Sequence, residues 1–105
     1  MTDREMLELA AKAADLRVKV ASNSGRGLKV HGNCNWWNPL TDDGDALRLA
    51  ARLNMDIEIN EFFVIVYCPS ELDCILIELE IKEEKMKTAR LAITIAAAKA
   101  GKEMK

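Results

Sequence analysis

Asp42, Asp43 and Asp45 form a dense cluster of potential metal ligands or acid–base groups. Their spacing does not suit a calcium loop of the EF-hand kind. Such a loop needs oxygen ligands at alternating positions, a glycine sixth and a glutamate twelfth, whereas Gly44 here stands third. The same three residues suit the first turn of a helix, where unpaired N–H groups and the helix dipole favour negative charge. His31 and Cys34, with Cys68 and Cys74, supply four potential zinc ligands. They lack paired CxxC spacing, and Cys68 and Cys74 fall at strand ends, so both read as small apolar core residues. A thiol nucleophile at Cys34 would need a base and an orienting third group, and His31 is the only histidine. Glu78, Glu80, Glu83 and Glu84 read as a solvated strand end and helix start. The sequence has neither a GxSxG elbow nor a GxxxxGK loop. These readings weigh against a metal site, a cofactor and a catalytic set.

Binding is the chemistry that remains. Trp36 and Trp37 lie side by side in the segment GNCNWWNP, residues 32–39. A buried tryptophan there would cover the start of the following helix. An exposed one would stack on a ligand ring or anchor an interface, since tryptophan is enriched at binding hot spots. At least one of the pair is expected in the core. Asn38, Asp42 and Asp43 adjoin them and complete a candidate binding segment. Arg26, Lys29 and His31 are cations near the same place, and the Gly-rich loop from Ser22 to Gly27 could grip an anion through Arg26.

The chain of 105 residues carries a net charge of −2, with half its residues apolar. That size fits one domain, 1–105. The slightly acidic balance argues against general nucleic-acid binding. No segment approaches the ~20 apolar residues of a membrane span. The start lacks the apolar run of a signal peptide. Reduced cysteines in a cytoplasmic setting are expected.

These groups are positioned by eight expected elements. A helix starts at Thr2, with Thr2 and Glu5 as a capping box and Met1 and Met6 as a staple. Leu7, Ala10 and Ala14 form its apolar face, and the alanines would let it lie close to a sheet. Alternation from Leu16 to Val20 and from Leu28 to His31 gives a hairpin. Gly32–Pro39 reads as loop. A second helix runs from Thr41 or Asp42 to Leu53, with Leu47, Ala50 and Leu53 as its core stripe and Asn54 as its stop. Strands follow at Met55–Ile59, Phe62–Cys68 and Cys74–Ile81. The continuous apolar run of the middle one predicts a strand covered on both faces. A long helix from Glu83 to Lys102 completes an α+β (α/β) order, α-β-β-α-β-β-β-α: a mostly antiparallel sheet with packed helices. Its Met86, Ala89, Ile93, Ala96 and Ala100 form one apolar stripe. Leu91, Ile95 and Ala98 form a second, which calls for cover by the first helix, by a second copy of the chain or by a partner.

The stretch WNPLTDDGDALRLA, Trp37 to Ala50, resembles the hallmark of the phage ABA-sandwich proteins, small α/β/α domains of tailed phages and prophages. DREMLELAAKAA (Asp3 to Ala14) and TARLAITIAAAKAG (Thr88 to Gly101) are similar to that family's first and last helices. The resemblance implies a fold and a phage origin, and brings no catalytic residues with it. The family's last helix tends to carry outward arginines. Arg90 keeps one, while Leu91 and Ile95 stand where others would be. The resulting expectation is a non-enzymatic phage accessory protein in the host cytoplasm. It would bind a host protein, as a counter-defence inhibitor, and could form a homodimer through Leu91 and Ile95. The alternative is a sponge for a nucleotide-like signal, with Trp36 or Trp37 on the base and Arg26, Lys29 or His31 at the phosphates. A hydrolase of that signal ranks below both.

Overall fold

The computed structural model describes residues 2–21, 27–30, 36–69 and 74–104, the side chains of 19–21 excepted. Met1, Arg26, His31 and Cys34, which figured in the expectations above, lie outside the described residues.

Helix α1 spans Asp3–Ala13. Thr2 caps it, its Oγ1 accepting from Glu5 N–H at 3.1 Å. Its end is closed by Asp15 at φ 57°, with Leu16 N–H returning to Ala11 O at 2.9 Å. Helix α2, Asp43–Arg52, ends by the same device: Asn54 has φ 55° and Met55 N–H reaches Ala50 O at 3.0 Å. A left-handed residue followed by a six-to-one bond satisfies carbonyls that a bare helix end would leave unpaired. Helix α3 spans Lys85–Glu103.

Among the described residues the strands form two antiparallel sheets of three, not one sheet. The first joins β1 (Val18–Ala21), β2 (Leu28–Val30) and β3 (Trp36–Trp37) in that order. The second joins β4 (Asp56–Ile59), β5 (Phe63–Cys68) and β6 (Ile75–Glu80), also in sequence order. Strand β3 falls within the segment expected to be loop. Leu28 stands opposite Trp37 and Lys29 opposite Trp36. Two aromatic residues suit a pleated edge, but two positions are too few to show a period. Gly27 enters β2 at φ 112°, and a Cβ there would sit 2.3 Å from Trp37 O. Only glycine allows the β2–β3 pair to close at that point.

Helix α3 is the hub. It packs on α1, α2, β5 and β6. Its buried residues are Ala89, Ala92, Ile93, Thr94, Ala96, Ala97, Ala98, Ala100 and Gly101. At ~100° per residue they sweep about two-thirds of its circumference. A helix apolar on nearly all sides belongs inside a domain. Helix α3 lies close against α1, where a Cβ on Gly101 would fall 1.9 Å from Leu9 O. Lys12 Nζ also donates to Met104 O at 2.8 Å. The alanine face of α1 thus serves contact with a helix, where a sheet was expected.

Two further expectations are corrected. Leu47, assigned to the core stripe of α2, is 66% exposed, and the buried face is Ala46, Leu49 and Ala50, with Asp45 beside it. The physical reason is the carboxylate of Asp45, which is pulled inward by a backbone N–H and sets the rotation of the helix. Strand β5 is covered on one face only. Val64, Val66 and Cys68 are buried, while Phe63 and Tyr67 are exposed. Met86, placed on the buried stripe of α3, is also exposed.

Candidate functional site

The tryptophan segment divides into a buried half and a surface half. Trp37 is 5% exposed and belongs to the core cluster, which meets the expectation that one tryptophan is buried. Trp36, half-buried, carries the Lys29 ammonium 5.1 Å above its ring centroid. That geometry is a cation–π contact.

The polar residues after the tryptophans make a clasp. Asn38 is buried; its N–H donates to Asp45 Oδ2 at 3.0 Å and its Oδ1 accepts from Leu40 N–H at 3.0 Å. Asp42 caps α2, Oδ1 accepting from Gly44 N–H at 2.8 Å and Asp45 N–H at 3.2 Å. Asp45 Oδ1 accepts from Arg48 at 2.7 Å. Asp43 pairs with Arg90, whose Nε also donates to Leu40 O at 3.0 Å. The three carboxylates therefore serve different partners and do not converge on a common point. Among the described residues, no group of three or more His, Cys, Asp or Glu is placed to hold a metal ion. Arg90, largely buried, ties the turn before α2 to α3.

The cleft nearest this segment lies between α1, β2 and the 38–41 turn, and is lined by Asp3, Arg4, Leu7, Leu28, Asn38 and Thr41. Its volume is about 100 Å³. Small-molecule sites usually need ~300 Å³ or more.

Cys68 is buried and Cys74 exposed, so the two described cysteines sit in unlike surroundings. Burial, and then the negative charge of Glu103, pushes the Cys68 thiol above its ordinary pKa. A thiol held protonated is a poor nucleophile and a poor metal ligand.

Leu91 and Ile95 share the remaining open strip of α3. Leu91 is 38% exposed, while Ile95 is partly buried against the core. Helix α1 covers much of α3 without burying Leu91.

One exposed apolar surface was not foreseen. Directly opposed residues in antiparallel strands share a face. The registers give three rows across the outer side of the second sheet: Asp56–Tyr67–Leu76, Glu58–Ile65–Glu78 and, across two strands, Phe63–Glu80. An apolar strip of Phe63, Ile65 and Tyr67 runs down the middle, extended by Leu76, which is 59% exposed. Four carboxylates border it: Asp56 and Glu58 on one side, Glu78 and Glu80 on the other. The continuous apolar run of β5 hid this face. The signal that could have shown it was the period of two in the acidic residues of both flanking strands. Beside β6, an open groove of about 510 Å³ separates Glu78–Glu80 from Lys87, Thr88 and Leu91 of α3.

No protein-family model, curated protein or solved structure matches this chain.

Proposed function

We propose that this chain is a non-enzymatic binding protein that docks a protein partner on the outer face of β4–β5–β6. The carrying observation is that face itself: Phe63, Tyr67 and Leu76 stand in solvent on a sheet whose other side is core. Apolar patches of this kind, ringed by polar groups, mark interaction sites. The border of Asp56, Glu58, Glu78 and Glu80 selects the occupant. A basic protein surface complements it, and a nucleic acid would be repelled. A second copy is disfavoured as well, because symmetric pairing would set four carboxylates against four. The clasp residues Asp42, Asp43 and Asp45 are occupied in holding α2, which supports a non-catalytic role. Taken with the resemblance of Trp37–Ala50 to phage ABA-sandwich proteins, the reading extends to an accessory protein acting on a bacterial host protein.

The test uses the immobilised chain and bacterial lysate, with Phe63→Ser/Leu76→Ser and Glu58→Lys/Glu78→Lys variants alongside. A genuine partner is held by the parent, lost from both variants, released by raised salt, and kept by Leu47→Ser, which alters an exposed leucine elsewhere. A partner held equally by both face variants, or a parent that sediments as a dimer through this face, overturns the reading.

A further inference from the structure

The exposed edge of β6 has a backbone geometry that the groove beside it makes usable. Ile81 N–H donates to Phe62 O at 2.8 Å. In an antiparallel ladder the bonded pairs alternate, so residues two apart turn their backbone groups the same way. With Phe63 opposite Glu80 and Val64 opposite Leu79, the N–H and C=O groups of Ile75, Ile77 and Leu79 face β5. Those of Leu76, Glu78 and Glu80 face away from it. The β4–β5 hairpin gives the same parity independently. Asn60 N–H donates to Phe63 O at 3.0 Å, which turns Phe63, Ile65 and Tyr67 toward β4 and leaves Val64, Val66 and Cys68 for β6. Among the described residues, no strand pairs with the outer edge of β6. Natural sheets usually blunt such an edge, because it is a template for another chain.

The groove lies against this edge. Glu78, Leu79 and Glu80 form one wall, and Lys87, Thr88 and Leu91 of α3 the other. Its volume of about 510 Å³ falls within the usual range for binding clefts. We propose that an extended peptide segment of a protein partner enters here as a fourth strand, bonded to the backbone of Leu76, Glu78 and Glu80 and flanked by α3. This rests on the reading of the chain as a protein-binding module; it shares Leu76, Glu78 and Glu80 with the outer face but uses their backbone edge and the groove beside it, not the Phe63–Tyr67 strip.

The chemistry of the segment follows from the period of two in a strand. Side chains on its outer side meet the Glu78 and Glu80 carboxylates. Those on its inner side meet Leu79 and Leu91, the two apolar residues of the groove lining. The fitting segment alternates lysine or arginine with valine, isoleucine or leucine. The same glutamates discourage pairing with a second copy, since antiparallel self-pairing of β6 would bring like charges together. Strand addition draws its affinity from main-chain bonds and its specificity from alternate side chains.

The test is direct titration of the purified chain with a fluorescent peptide of alternating lysine and valine, capped at both ends. Two further peptides carry N-methyl groups, one on every lysine amide and one on every valine amide. In an added strand only one of these sets faces β6. One methylated peptide should lose binding at least about tenfold, and the other should stay within about twofold of the parent. Glu78→Pro and Glu78→Gln provide the matching change on the protein. Both remove the charge, and only proline removes the outward N–H, at an edge position where proline is tolerated. Glu78→Pro should bind about tenfold more weakly than Glu78→Gln. If Glu78→Pro does not fold, the two methylated peptides decide alone. Equal binding of both methylated peptides, equal binding by the two folded variants, or no binding of the parent peptide overturns the proposal. A chain that takes the peptide yet holds no protein on its outer face ends the earlier reading and leaves this one standing. A chain that holds a protein through Phe63 and Leu76 but ignores the peptide does the reverse.

Discussion

Gly101→Ala should destabilise the protein, although alanine is the better helix former. In an exposed helix the exchange would gain about 1 kcal/mol. Here the added Cβ would lie 1.9 Å from Leu9 O and 2.8 Å from Leu9 C. Both are backbone atoms and cannot rotate aside. Ordinary contact at about 3.4 Å would require α1 to retreat by about 1.5 Å at that point. Leu7, Ala10, Ala11 and Ala14, all buried, share the face that must open. Their burial contributes about 4–5 kcal/mol at ~0.8 kcal/mol per methylene. A retreat of about 1.5 Å at Leu9 that averages 0.5–1 Å over the whole face forfeits roughly a quarter to a half of contact attraction, which gives a loss of about 1–2 kcal/mol. Overpacking strain adds about 1–3 kcal/mol. After subtraction of the helix gain, the net cost is about 1–4 kcal/mol. For a domain of this size that lowers Tm by about 5–30 °C. Thermal unfolding followed by circular dichroism reads it, and a urea midpoint shift at unchanged slope confirms it. Lys99→Gly, at an exposed position on the same helix, isolates the propensity term at about 1 kcal/mol. If Gly101→Ala melts at or above the parent temperature, the close approach of α1 and α3 is wrong, and the account of α3 as the buried hub fails with it.

Trp37→Ala should cost about 3–5 kcal/mol and Trp36→Ala no more than about 1 kcal/mol, a split that two melting curves reveal. Arg90→Met removes both the Asp43 pair and the bond to Leu40 O and should cost about 1–3 kcal/mol, with Asp43→Asn milder; equal losses in a urea titration would show that the Leu40 bond contributes nothing. In a Cys34→Ser background, Cys74 should react at once with a thiol reagent and Cys68 only on unfolding, so two equally fast thiols would refute the burial of Cys68. The raised Cys68 pKa also sets a pH dependence. The unfolded thiol loses its proton near its ordinary value of 9.0 and the folded one only above it, so stability is full below about pH 9 and falls as pH rises further. Cys68→Ala should flatten that alkaline decline in a series of melts.

The order of helices and strands, β3 apart, was readable because each carried a local signal. Thr2 and Glu5 marked the start of α1, Asn54 the end of α2, and alternation marked β1, β4 and β6. What escaped was decided by distant contacts. The split into two sheets depends on which strands meet, and no local period encodes that. The phase of α2 turned on Asp45, whose charge argues for solvent until Asn38 N–H is found to bind it inside. The outer face of β5 was missed because Phe63, Ile65 and Tyr67 are as apolar as the buried residues between them. Only the flanking carboxylates distinguish the two sides. Of the candidate binding residues, Asn38, Asp42 and Asp43 hold the clasp around α2. Leu91, chosen for being apolar in the wrong place, does border an open groove.

The contact between Lys12 and Met104 joins positions 92 residues apart in the chain. During synthesis α1 leaves the ribosome first and must wait for α3, the helix against which its alanine face is buried. Until then Val64, Val66 and Cys68 also lack their cover, so the nascent sheet is apolar on both sides. Closing so long a loop delays the gain from packing until most of the ordering cost has been met. Much of the packing around α3 can then form only once that helix has emerged, and until it does the apolar face of the second sheet is uncovered.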